Sequence, residues 1–292
     1  MKLRSIEFDM PGRADAAGFL QDPWGLLDAG TRGNTSFLRA TSEHAYVVAV
    51  TEAPQRALAS ITFAGSRPEV EAVWQRVQQS PLRHGPWIDA FDEPGRGAGF
   101  CVTGPEGEPY RFISESEPVA ALPADRARPL HLSHVALNSR DRETATRMMV
   151  EVFGFRLSDR TRVMNFVRCD DTHHCIAYAD NEGCSLNHVA FEMIDTDAVM
   201  RGMGRLKEAG SPTVWGPGRH GPGNNVFSYF VAPFGACIEY TAEVQRVGDN
   251  YRVGAPADWG WPKGRNDHWG IATRDNARLI DSSAAFPYRA AA

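Results

Sequence analysis

The sequence predicts an α+β protein made of four strand–helix–strands (βαβββ) modules paired into two domains. Three observations predict it. A six-residue pattern occurs twice: Leu132-Ser133-His134-Val135-Ala136-Leu137 returns as Leu186-Asn187-His188-Val189-Ala190-Phe191. Each copy reads as a short strand leading into a helix-compatible segment, so a supersecondary unit has been duplicated. The plan of strand, helix and further strands also starts twice before, and twice after, a Pro- and Ala-rich stretch at Glu117–Asp125. Finally, 292 residues leave room for two domains of ordinary size.

Taken in order, Leu3–Met10 alternates as a strand, and Ala14–Asp28 holds a helix interrupted by Pro23. Thr35–Thr41 and His44–Val50 read as strands. The second module opens with strand Ala57–Phe63. Its helix starts at Pro68 and carries Val70, Val73, Trp74 and Val77 at helical spacing. Trp87–Phe91, Gly99–Thr103 and Tyr110–Ser114 complete it as strands between Gly/Pro turns. The aperiodic stretch that follows is the linker. The third module has strand His131–Asn138, a helix Asp141–Phe153 with Asp141 near its cap, and two strands within Phe155–Asp180. The fourth runs from strand Ser185–Met193 into helix Thr196–Ala209, closing on Gly210, then strands Asn225–Val231 and Ala236–Ala242. Beyond Asp249, Trp259, Trp261 and Trp269 sit among Gly and Pro without period, which predicts an extended arm packed on the body or on a neighbouring subunit. The expected division is 1–118, a non-catalytic domain; 119–129, the linker; 130–245, a catalytic metal-binding domain; and 246–292, the arm, placed as a lid or subunit contact.

Hydrophobic residues make up 42% and charged residues 23%, the balance of a globular chain that buries a core. The formal charge of −5 and the absence of a Lys/Arg run argue against nucleic acid or an anionic membrane as partner. No apolar run approaches the ~20 residues of a membrane helix, and Met1-Lys2-Leu3-Arg4-Ser5 has no signal-peptide core. Cys101, Cys169, Cys175, Cys184 and Cys237 are odd in number and form no CxxC pair, so free thiols and a cytoplasmic address are expected.

Six of the nine histidines fall between His131 and His220. If two modules pack about a pseudo-twofold, His134 and His188 occupy matching places and meet across it. A carboxylate from a neighbouring strand would complete a metal site, and Glu239, set between Ile238 and Tyr240 in an apolar strand, is costly there unless a cation offsets its burial. Two His and one carboxylate form a facial triad that leaves open positions on a six-coordinate ion such as Fe(II). Gly216-Pro217-Gly218 and Gly221-Pro222-Gly223 lack the P-loop lysine and a following helix, so they shape a loop around His220 rather than a phosphate cradle. No HExxH motif occurs.

These pieces resemble the catalytic domain of type I extradiol ring-cleaving dioxygenases, of the vicinal-oxygen-chelate superfamily. The resemblance rests on Leu132-Ser133-His134-Val135, His173-His174-Cys175-Ile176-Ala177, Leu186-Asn187-His188-Val189 and Gly218-Arg219-His220-Gly221. Ser228-Tyr229-Phe230 through Pro233-Phe234-Gly235 to Glu239-Tyr240 completes the set in the family's order, over about Leu130 to Glu243. Ser228 stands where the family more often has an aromatic. The N-terminal half resembles the family's inactive domain only in its two-module plan, and with no His at the matching strand starts it is expected to hold no metal.

The resemblance implies that each domain is an incomplete barrel of mixed sheet. It implies His134, His188 and Glu239 as ligands of Fe(II), with Mn(II) the alternative, and no organic cofactor. It also implies His174 as the group beside oxygen, and His220 and Tyr229 as groups around the substrate oxygens. Strand alternation lets only one of His173 and His174 reach the site, and the family register selects His174. The substrates expected are a small catechol, bound through both oxygens, and O2; a homo-oligomer is expected from exposed sheet edges and the Trp-rich arm. Rival expectations are a hydroquinone-type ring cleaver, a non-oxidative glyoxalase-like metal enzyme, and a metal-free binding protein of the same fold.

Overall fold

A computed structural model of the chain describes residues 1–289. The first half runs β1 (Lys2–Met10), α1 (Arg13–Gln21), β2 (Leu27–Arg32), β3 (Thr35–Arg39), β4 (Val48–Glu52), β5 (Ala57–Gly65), α2 (Arg67–Gln78), β6 (Arg83–His84), β7 (Ala98–Thr103) and β8 (Pro109–Ser114). The second runs β9 (His131–Ser139), α3 (Arg142–Glu151), β10 (Arg156–Arg160), β11 (Met164–Arg168), β12 (Ile176–Asp180), β13 (Ser185–Glu192), α4 (Thr196–Glu208), β14 (Trp215–Arg219), β15 (Val226–Val231), β16 (Cys237–Ala242), β17 (Thr273–Arg274) and α5 (Asn276–Ser283).

Local chemistry explains the helix starts. The Ser66 hydroxyl and Glu69 form a capping box ahead of α2, and the carboxylates of Asp141 and Asp195 accept from Thr144 N and Ala198 N to cap α3 and α4. Gly210 follows α4 at φ +79°, the left-handed conformation that ends helices.

The strands form two mixed sheets, of eight strands in the order β2-β3-β4-β1-β5-β8-β7-β6 and of nine in the order β10-β11-β12-β9-β13-β16-β15-β14-β17. Neither sheet closes on itself. In each, two modules join through one antiparallel pair at the centre, β1 with β5 and β9 with β13. Each central pair carries two bulges. Ser133 and Asn187 are the extra residues in the second sheet, and Arg4 and Ala59 in the first. A bulge inserts one residue and re-aims the next side chain. All four bulges follow a leucine (Leu3, Leu58, Leu132, Leu186), so the repeat has four copies rather than two.

One apolar core runs through both halves. Trp24 stacks on Tyr240 at 3.8 Å between ring centroids, Phe63 meets Phe155 edge-on at 4.9 Å, and the hydroxyls of Tyr110 and Tyr178 pair at 2.5 Å. Burying such rings together fixes the halves as one body.

Several expected elements differ. Trp87–Phe91 is not a strand; only Ile88 bridges, to Gly99. Phe155–Asp180 holds three strands, because the turn at Thr161–Met164 divides β10 from β11. Leu27–Arg32 and Trp215–Arg219, the latter read as loop for its Gly and Pro, are edge-side strands, where missing side chains and donors are tolerated. The arm is not wholly irregular: β17 pairs with β14, and α5 leads to Phe286, which is fully buried against Phe8 and Phe234. No helix among the described residues is long and apolar enough to cross a membrane.

Candidate metal centre

Three neighbouring strands supply the candidate ligands. On β13, Ala190 lies opposite His134 of β9 on one side and Glu239 of β16 on the other. His188, two residues earlier on β13, faces the same way as Ala190. The small Ala190 side chain leaves space above it, and the three longer side chains converge there. His134 Nε2 lies 3.3 Å from His188 Nε2 and 3.2 Å from Glu239 Oε2, and His188 Nε2 lies 3.4 Å from that oxygen. An ion about 2.1 Å from each atom, a usual distance in divalent sites, leaves its ligands roughly 3.0–3.4 Å apart for angles between right and tetrahedral. The observed triangle fits.

Hydrogen bonding fixes the ligand atom of His188. His188 Nδ1 donates to Asn187 Oδ1 at 2.8 Å, and Asn187 Nδ2 donates to Asn138 Oδ1 at 2.8 Å. His134 Nδ1 lies 3.3 Å from Ser133 Oγ. With its Nδ1 donating to Asn187, His188 turns an Nε2 lone pair toward Glu239, and His134 does the same when its Nδ1 donates to Ser133 Oγ. The two bulge residues are thus the groups that orient the two imidazoles.

All three groups are buried, and both Glu239 oxygens lack a hydrogen-bond partner. Burial pushes Glu239 up to about 7, against the pull of His188, and lowers His134 and His188 to about 3. The site therefore keeps its imidazoles neutral, as metal ligands must be, and its carboxylate short of positive charge. These are the needs a divalent cation meets, so the residues fit one.

Around the triangle, the His174 ring packs at 4.3 Å from the His134 ring, and Tyr229 lies edge-on to His188 at 4.9 Å. His220 Nε2 is 3.0 Å from the Tyr229 hydroxyl and 3.9 Å from Glu239 Oε1. His220 stacks on Phe227 at 4.0 Å, and Tyr229 stacks on Trp215 at 4.8 Å. Burial lowers both His174 and His220 well below the usual imidazole range and raises the Tyr229 hydroxyl. All six candidate residues thus gather in one place.

Strand alternation does not describe His173 and His174. They precede β12 in an irregular link, and their Nδ1 atoms meet at 3.0 Å instead of facing apart. His173 is fully buried, its Nε2 2.8 Å from Asp159 Oδ2. Asp159, Ser133 and Asn187 were missed as site residues. Asn187 and Ser133 carried a signal, as the variable positions of the repeated Leu-x-His; Asp159 on β10 carried none.

An α+β protein of paired βαβββ modules with a His/His/Glu triangle on three adjacent strands defines a class: a mononuclear metal enzyme fold. The profile of the Glyoxalase/Bleomycin resistance protein/Dioxygenase superfamily matches residues 131–240. A crystal structure of the Mn(II)-bound glyoxalase from Novosphingobium aromaticivorans superposes with a TM-score of 0.88 at 31% identity, covering 99% of this chain and 95% of that one. The chain belongs to this superfamily. Metapyrocatechase 2 of Cupriavidus necator is 32% identical over 142 residues, which span 48% of this chain and only 42% of the relative. The manganese-dependent 2,3-dihydroxybiphenyl 1,2-dioxygenase of Geobacillus genomosp. 3 is 23% identical over 80% of this chain and 81% of its own.

Proposed function

We propose that this chain cleaves the ring of a catecholic compound in the extradiol (meta) manner with O2, at one Fe(II) or Mn(II) held by His134, His188 and Glu239. The observation that carries the reading is the grouping of His174, His220 and Tyr229 around the triangle, one beside each ligand. An isomerase that only polarises a substrate has less need of three further proton-holding groups. The names of metapyrocatechase 2 and the dihydroxybiphenyl dioxygenase support the same chemistry.

A divalent ion bound there would accept both catechol oxygens, lower the pKa of a bound hydroxyl and leave a position for O2. The rest falls to side chains. The Tyr229 hydroxyl and His220 Nε2, already 3.0 Å apart, hold and receive the second catechol proton. His174, neutral at pH 7, serves as the acid–base group on the oxygen side. Phe227 and Trp215 fix the His220 and Tyr229 rings by stacking.

The test is O2 uptake by anaerobically reconstituted protein across monocyclic and bicyclic catechols. Uptake with a yellow ring-opened product is expected; a colourless, O2-silent panel overturns the reading. A glyoxalase-like isomerisation is the second reading, favoured by the name of the Novosphingobium structure. Thioester formation from methylglyoxal and glutathione without O2 would support it. The proposal also takes the chain as cytoplasmic and homo-oligomeric, free of nucleic-acid or membrane partners, supported by five unpaired cysteines and open sheet edges. Light scattering and fractionation test these. The division at 119–129 is supported by the lack of helix or strand between Ser114 and His131, and limited proteolysis tests it.

A further inference from the structure

A chain of hydrogen bonds leads away from the candidate site through groups that the ring-cleavage reading does not use. Asp159 is fully buried on β10. Its Oδ1 accepts from Gly254 N at 2.7 Å, its Oδ2 lies 2.8 Å from His173 Nε2, and the Tyr251 hydroxyl donates to it at 3.2 Å. Two of these donors belong to the segment after the last catalytic strand, so the arm is tied to the site. His173 Nδ1 then meets His174 Nδ1 at 3.0 Å.

The order of donors follows from the ends. A carboxylate only accepts, so His173 carries its hydrogen on Nε2. With this single hydrogen the ring has one donor and one acceptor, so His173 Nδ1 accepts. His174 must therefore carry its hydrogen on Nδ1, which leaves the lone pair on Nε2. We propose that Asp159 and His173 are positioning residues that hold His174 in this single tautomer and orientation, with the arm residues Tyr251 and Gly254 holding Asp159 in turn. The geometry leaves His174 Nε2 as an acceptor for a group bound beside the triangle. The consequence for turnover rests on the ring-cleavage reading; the tautomer does not.

Asp159→Asn separates the two. Gly254 N still needs an acceptor, which keeps the amide oxygen on that side and turns the amide nitrogen toward His173. That NH2 donates, so His173 must accept on Nε2 and donate from Nδ1, and His174 must accept on Nδ1. The substitution reverses the hydrogens between Asp159 and His174 at nearly constant shape.

The measurement is 15N imidazole NMR on the full-length chain loaded with diamagnetic Zn(II), which accepts the same ligands. The wild type is expected to show His174 protonated on Nδ1, and Asp159→Asn to show it on Nε2. In the Fe(II) or Mn(II) enzyme the variant should lose about tenfold to a hundredfold in kcat, within the ~10²–10⁴-fold that a positioned acid–base group supplies, with KM for catechol little changed. An Nε2 hydrogen in the wild type, or an unchanged tautomer in the variant, overturns the proposal. A reversed tautomer with undiminished kcat upholds it and removes instead the role given to His174. Should Asp159→Asn not fold, His173→Phe keeps a ring in the same space. His174 is then expected to populate both tautomers, and a persistent single Nδ1–H form overturns the proposal.

Discussion

The two halves use one backbone plan for opposite ends. The registers align residue for residue: Thr62 lies between Ser5 and Arg111 in the first sheet as Ala190 lies between His134 and Glu239 in the second. Ser60 then matches His188, and Cys101, opposite Arg111, matches Tyr229, opposite Glu239. Tyr46, two residues before the β4 residue that pairs with Ile6, matches His174. Where the second half gathers neutral imidazoles around an unpartnered carboxylate, the first half supplies its own cation. Arg111 donates to Tyr46 Oη at 2.7 Å and Thr62 Oγ1 at 3.0 Å, and pairs with Glu93 at 2.9 Å and with Glu7. Arg4, the bulge residue, adds a second pair to Glu93 at 2.7 Å. A guanidinium covalently built into the sheet satisfies the acids of one half; the other leaves Glu239 for an exchangeable ion. The same bulged frame is therefore an internally neutralised scaffold in one copy and a metal site in the other.

The largest expected effect breaks the second copy alone. Glu239→Gln removes the anionic ligand, so metal content and O2 uptake should fall to background while the fold, judged by circular dichroism, stays. Next, His174→Phe should keep the metal but lose ~10²–10⁴-fold in turnover, the usual share of a positioned acid–base group, read by metal analysis beside steady-state kinetics. Breaking the first copy should act on stability instead. Arg111→Met leaves Glu7 and Glu93 short of a partner at a cost of roughly 3–5 kcal/mol, as when one member of a buried pair is removed, with metal content unchanged. Denaturant unfolding reads this.

Metal binding in the second half should depend on pH through its carboxylate. In the metal-free site Glu239 is raised to about 7, and His134 and His188 are lowered to about 3. Below pH 7 the incoming ion displaces one proton, from Glu239, and none from the imidazoles. Affinity should therefore fall tenfold per pH unit from about 7 down to 5.5 and be flat above 7. Ordinary histidines would instead add two further protons below about 6.5, giving a steeper fall. Isothermal titration in buffers of different ionisation enthalpy counts the protons. The smallest effect is expected at Ser5, whose buried hydroxyl finds no partner. Ser5→Ala should leave activity unchanged and alter stability by no more than about 1 kcal/mol, toward greater stability, since an unsatisfied buried polar group is removed.

Much of the second half was legible because its chemistry is local in sequence. Leu-x-His-Val repeats, the apolar-flanked Glu239 and the motif order around His220 and Tyr229 are side-chain patterns on strands, and strands report their facing by alternation. The register of three adjacent strands follows once the module plan is recognised. The first half was legible as a plan but not as a site. Its Leu-x-Ser copies at Leu3-Arg4-Ser5 and Leu58-Ala59-Ser60 lack the histidines that make the other two conspicuous. Strand β14, next to the edge strand β17, escaped because Gly and Pro signal turns unless tertiary pairing overrides them. Asp159 escaped because its meaning lies in contacts with His173, 14 residues on, and Gly254, 95 residues on.

One divalent ion is expected among His134, His188 and Glu239. Crystals grown anaerobically with Fe(II) or Mn(II) and measured at the metal's absorption edge test it most directly. A single anomalous peak per chain is expected, about 2.1 Å from both Nε2 atoms and a Glu239 oxygen, a usual divalent-ligand distance, with none beside Arg111. A peak elsewhere, or none at the triangle with the metal in excess, would contradict it.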